Sequence, residues 1–249
     1  MSVIALSLAV LSVLSWLYLA ALADAMAAMA GGAGSAFMVL MPMGRWGAFE
    51  FTLCVAMWAV MMVAMMVPSA TPMLLAFHAM QRRRGGARPA ALRFVAFLCG
   101  YLLVWSGFSL LAAALQWWLH EAAVVTDAMV SASRVLDAAL LLAAGAWQLA
   151  PAKGLCLSKC RSPLGFLMTE WREGATGALV MGLRHGSFCV GCCWALMALL
   201  FVGGVMNLLW IALIAGVVLL EKALPFGMVA ARVAGLGLCA GGVWLLVAA

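Results

Sequence analysis

The chain predicts an all-α fold, a polytopic transmembrane helical bundle of six or seven spans, and three observations lead there. Of its 249 residues 68% are hydrophobic and only 9% are charged, against about 25% charged in an ordinary soluble domain. The apolar residues gather in runs close to the roughly 20 residues that a helix needs to cross a hydrocarbon core. The Lys and Arg side chains crowd into two short stretches between those runs, where a helical membrane protein keeps its cytoplasmic charge. The net charge of +6 therefore reads as an orientation signal with an attraction to anionic lipid. A nucleic-acid surface is excluded.

The first span covers about residues 3–23. It ends in Ala21-Leu22-Ala23, which resembles a signal-peptidase site, but it lacks a basic n-region and its apolar run is long, so a retained helix is expected. The second covers about 50–77 and is interrupted by Pro68 and Pro72. The third is about 94–119, the fourth 133–150, the fifth 176–202, the sixth 205–220 and the seventh 228–247. The loop 81–93 carries Arg82, Arg83, Arg84, Arg88 and Arg93 without an acid, and the loop 151–172 carries Lys153, Lys159, Arg161 and Arg172. Both belong inside. The N-terminus then lies inside, the C-terminus outside, and loops 24–47 and 120–134 face out. One helical domain over 1–249 is the simplest organisation, because only helices and closed barrels satisfy backbone polar groups in lipid. Gly235, Gly237, Gly241 and Gly242 suit close helix packing.

Soft sulfur is plentiful where titratable groups are scarce: 19 Met and 8 Cys stand beside three His. In the second span Glu50, Cys54, Met57, Met61 and Met65 repeat at helical spacing and share a face, with Met62 and Met66 beside it. Thioether sulfur is neutral, inexpensive to bury and suited to Cu(I). The competing reading is that Met fills irregular gaps in a core. Met26, Met29, Met38, Met41 and Met43 precede this helix in an expected outer loop. They read either as a way in for a soft ion or as an interfacial segment packed on the bundle. Pro68 and Pro72 free backbone carbonyls, and His78 follows at the inner end.

The sharpest pattern is His185-Gly-Ser-Phe-Cys189-Val-Gly-Cys192-Cys193. On a helix His185, Cys189 and Cys192 lie on one side with Cys193 adjacent, and distortion at Gly186 and Gly191 would fold the thiolates round an ion. Upstream, Cys156 and Cys160 are four apart, beside Lys159 and Arg161, whose charges favour the thiolate. With His78 and Glu221 these groups are expected to converge near the inner membrane face. Metal binding is the favoured use, ahead of a redox dithiol and of packing. Glu221 beside Lys222 also reads as an ordinary interfacial pair, and Arg134 with Asp137 as another near the outer surface.

Three stretches then carry a resemblance: Trp58-x-x-Met61-Met62-x-Ala64-Met65-Met66-x-Pro68; Trp147-Gln148-x-x-Pro151-x-Lys153 leading to Cys156-x-x-x-Cys160-Arg161-x-Pro163; and Gly182-x-x-His185-Gly186-x-x-Cys189-x-Gly191-Cys192-Cys193-Trp194. Together with Met206-Asn207 and Glu221-Lys222 they make the chain resemble a bacterial family of predicted metal-binding integral membrane proteins of unknown function, over roughly residues 51–222. The resemblance implies a multi-pass protein of the bacterial cytoplasmic membrane with a metal site, and it names no reaction.

The leading functional reading is a protein that accepts, holds or passes Cu(I), with a metallochaperone or subunits of a membrane complex as partners beside the lipid bilayer. A second is a membrane thiol–disulfide oxidoreductase using Cys189/Cys192 with Cys156/Cys160. A third is a subunit of a larger oxidase- or monooxygenase-like assembly. Haem would have only His78 and His185 to hold it and is disfavoured. Whether the chain is an enzyme stays open at this level, although no nucleotide-binding loop, Ser-His-Asp pattern or carboxylate-rich metal site is present.

Overall fold

The structure is a computed structural model and describes residues 2–30, 47–85, 87–122 and 133–248. These form α1 (Ser2–Ala30), α2 (Ala48–Gly85), α3 (Ala87–Glu121), α4 (Arg134–Leu149), α5 (Pro151–Arg161), α6 (Pro163–Glu170), α7 (Gly174–Ala198), α8 (Leu200–Gly203), α9 (Leu208–Ala223) and α10 (Gly227–Val247), with no strand among the described residues. Five helices are long and apolar enough to cross a membrane, and six spans result when α4 and α5, bent by 66°, count as one broken span. The expected sixth span falls on α9, which has only 16 residues. The protein is an all-α membrane bundle.

Several boundaries differ from the expectation. α1 continues to Ala30, so Met26 and Met29 belong to a helix; Met38, Met41 and Met43 lie outside the described residues. α2 runs unbroken through Pro68 and Pro72 to the arginine cluster. A proline inside a helix leaves the carbonyl four residues earlier without its N–H. For Pro68 that carbonyl is Ala64, and it accepts a hydrogen bond from the Trp16 indole at 3.1 Å. The break is thereby repaired by α1, as lipid requires of every buried carbonyl. Large apolar side chains such as Leu111, Trp118, Leu209, Leu236 and Trp244 remain exposed, as expected of faces that meet lipid.

Glycines set the helix contacts. A Cβ on Gly182 of α7 would strike the Phe97 carbonyl of α3, and one on Gly186 would lie 2.9 Å from Val104. α3 and α7 thus run parallel and nearly touching. α4 and α10 pack antiparallel, with Gly145 against Gly235 and Gly242 against Leu142 and Ala138. Gly237 and Gly241 have open space beside them and take no part in that packing.

Ion pairs and polar contacts tie the helices to one another. The Lys153 ammonium of α5 lies 2.6 Å from the Glu221 carboxylate of α9, with the two side chains 0% and 2% exposed. The other Glu221 oxygen accepts a 2.6 Å bond from the Gln148 amide of α4. Arg161 donates to the Leu224 and Pro225 carbonyls at 2.6 and 2.5 Å. These contacts hold α5 across the bundle after the bend. At the start of α7, Arg84 lies 4.4 Å over the Trp171 ring and 3.2 Å from Glu173, which also accepts from the Trp171 indole at 2.7 Å. The expected Arg134–Asp137 pair does not form among the described residues; one Asp137 oxygen is buried without a hydrogen-bond partner.

Removing one member of a buried pair leaves the other charge uncompensated. Lys153→Met is predicted to destabilise the protein by about 3–5 kcal/mol, and Lys153→Met/Glu221→Leu to recover most of that loss; thermal melts in detergent measure both. The Trp171 indole, and then Arg84, hold the exposed Glu173 carboxyl below its ordinary range. Its contribution is therefore complete above the ordinary carboxylate pKa and is lost as pH falls through the folded value. Glu173→Gln is predicted to lower the melting temperature slightly at neutral pH, with the gap to wild type closing below about pH 4. A gap that does not change with pH would contradict this.

Candidate metal centre

α7 is continuous through Gly186 and Gly191, so these glycines do not fold the backbone round an ion. Gly191 instead makes room for α5: a Cβ there would lie 3.1 Å from the Cys156 sulfur. His185, Cys189, Cys192 and Cys193 project from one side of α7 and are all buried. They occupy the middle of the 30-residue span Gly174–Gly203. The cluster thus lies near the middle of that helix and not at its start beside the basic loop.

Five elements meet around Cys189. The Lys222 ammonium of α9 lies 3.0 Å from the Cys189 sulfur and donates to the Ser69 hydroxyl of α2 at 3.1 Å. The Tyr101 hydroxyl of α3 lies 3.2 Å from the same sulfur and donates to the Met66 carbonyl at 3.3 Å. The Cys160 side chain, carried in on α5, interacts with Cys189 and Cys192. The Cys193 sulfur is 3.9 Å from the Met66 thioether. The Cys192 and Cys193 thiols donate to the Cys189 carbonyl at 3.1 and 2.8 Å, so both are turned onto their own helix. Among the described residues no group of three or more His, Cys, Asp or Glu side chains is closed round a metal position.

The His185 ring stands among Phe166, Tyr101 and Phe97, with centroids 5.3, 5.7 and 6.1 Å away. Its Nδ1 is buried without a hydrogen-bond partner. Met57, Met61, Met62, Met65 and Met66 are all buried, none more than 4% exposed. The thioethers of α2 thus line the protein interior and end, at Met66, against the thiols.

Other expected members stand elsewhere. Cys156 is half-buried over Gly191. His78 packs edge-on against Phe94, 5.7 Å away, and is about 18 Å along the helix from Met66 at 1.5 Å per residue. Glu50 lies in the first turn of α2 and accepts from the Gly47 N–H at 2.9 Å, a helix-start contact. Glu221 is held by Lys153 and Gln148. Conversely, the sequence reading did not single out Tyr101, Ser69 or Lys222 as members of the cluster. For Lys222 a signal existed: a charge inside an apolar run points to function by default. Nothing in the sequence marks Tyr101 or Ser69.

Buried thioethers here meet thiols, with a cation beside one sulfur; as ligands, donors of this kind would suit a soft, monovalent ion. No curated protein and no solved structure matches the chain. Residues 55–245 match the family model PpoB2, described as copper chaperone, and the chain belongs to that copper chaperone family.

Proposed function

We propose that the protein carries Cu(I) as cargo in the bacterial cytoplasmic membrane, moving it along the buried thioethers of α2 to a thiolate sink at Cys189 and Cys192. Cys160 and Cys193 stand by as further sulfur ligands. The observation that carries this reading is the 3.9 Å contact between the Met66 and Cys193 sulfurs, which joins the stripe to the cluster without a gap. Cu(I) is satisfied by two soft sulfurs, so a closed cage of three ligands is not required. Thiolate outcompetes neutral thioether for the ion, and a run of neutral ligands leading to charged ones makes a downhill path. Cargo leaves to a metallochaperone or to a subunit of a membrane complex.

Purified protein loaded anaerobically under reducing conditions is predicted to retain about one Cu(I) per chain against a competing chelator. Cys189→Ser/Cys192→Ser abolishes that retention, and Met66→Leu weakens it by about tenfold. Equal copper content in wild type and in the double Cys variant would overturn the assignment. So would wild-type protein that binds no copper.

A further inference from the structure

Among the described residues Lys222 is the charged side chain that touches the Cys189 sulfur, and it is not a ligand, because an ammonium has no lone pair to give. Consecutive residues on a helix point about 100° apart, so Glu221 and Lys222 turn to different neighbours. Glu221 is taken by Lys153 and Gln148, both at 2.6 Å. Lys222 reaches Cys189 at 3.0 Å and Ser69 at 3.1 Å. Among the described residues it makes no ion pair with a carboxylate. Its natural counter-charge is sulfur. The other groups round Cys189 are Tyr101, Cys160, Cys192, Cys193 and His185, and none of them brings a fixed positive charge.

We infer that Lys222 is the positioning counter-ion that makes the thiol pair, and not the adjoining thioethers, the resting place of the cargo. The inference rests on the Cu(I)-carrier reading and adds a direction to it. Cu(I) held by neutral thioethers is a complex of charge +1, which the ammonium repels. Cu(I) held by two thiolates is a complex of charge −1, which the ammonium attracts. In an interior of low dielectric these opposite effects are poorly screened. Lys222 therefore raises the energy of copper at the Met66 end of the path and lowers it at Cys189. In the transfer the copper–thioether bonds break and two copper–thiolate bonds form. Cys189 enters as the thiolate that the ammonium holds, and the Cys192 thiol gives up its proton to bulk water as its bond to copper forms. Copper stays in the +1 state throughout, so no oxidant or reductant takes part.

The test uses selenomethionine-labelled full-length protein loaded with Cu(I), with X-ray absorption at the copper and selenium edges and chelator competition for affinity. Wild type is expected to give copper scattered mainly by sulfur. Lys222→Gln keeps a hydrogen-bond donor for Cys189 and Ser69 but removes the charge. It is expected to raise the copper–selenium signal and to lower Cu(I) affinity about tenfold or more. Lys222→Arg keeps the charge and is expected to restore both readouts. Wild-type behaviour in Lys222→Gln, or a selenium-dominated signal in Lys222→Arg, overturns the role of Lys222 while leaving the carrier reading intact. Wild-type protein without copper overturns the carrier reading itself.

Discussion

A charged or polar group inside an apolar bundle must find its partner within the protein, because lipid offers none. Three unrelated features follow from that constraint. The carbonyl of Ala64, freed by Pro68, draws the Trp16 indole and with it α1 onto α2. The Lys153 ammonium draws α5 back across the bundle to Glu221 on α9. The Lys222 ammonium, left without a carboxylate, meets the sulfur of Cys189. The first two contacts hold the helices that the third needs in place. α5 also carries Cys160 and, through Gly191, packs directly on the thiol-bearing face of α7.

The sulfur arrangement is graded in charge along its length. Met57, Met61, Met62, Met65 and Met66 are neutral and buried among other side chains, so on the carrier reading they would form a path that costs little desolvation when empty. The thiols at its end can become anionic, and the Lys222 ammonium stands beside one of them. Two of them are turned back onto the Cys189 carbonyl, so binding an ion means exchanging weak intrahelical bonds for metal–sulfur bonds. A carrier gains from such a site, since it need not reorganise a rigid cage to give its cargo up.

Much of the fold was legible in the sequence because hydropathy alone marks helices of this length. α2, α3, α7 and α10 fall where the apolar runs lie. The stripe of methionines was legible as a helical face, but periodicity cannot say whether such a face meets lipid or protein, and the packing of α1, α3 and α9 around α2 answers that. The cysteines follow a basic loop closely in sequence, yet α7 begins at Gly174 and carries them to the middle of its length. Glu221 and Lys222 do not pair with each other. Adjacency in sequence suggests a pair, whereas adjacency on a helix sends the two side chains to different partners. Tyr101 and Ser69 reach Cys189 or its ammonium from α3 and α2 over long stretches of sequence, and no local pattern encodes such a meeting.

Anomalous diffraction at the copper edge from crystals of Cu(I)-loaded protein tests the central claim most directly. The account predicts one dominant peak between α2, α5 and α7, within bonding distance of the Cys189 and Cys192 sulfurs and beside Lys222. A dominant peak near His78 or Glu50, or no peak in protein that carries copper in solution, would contradict it.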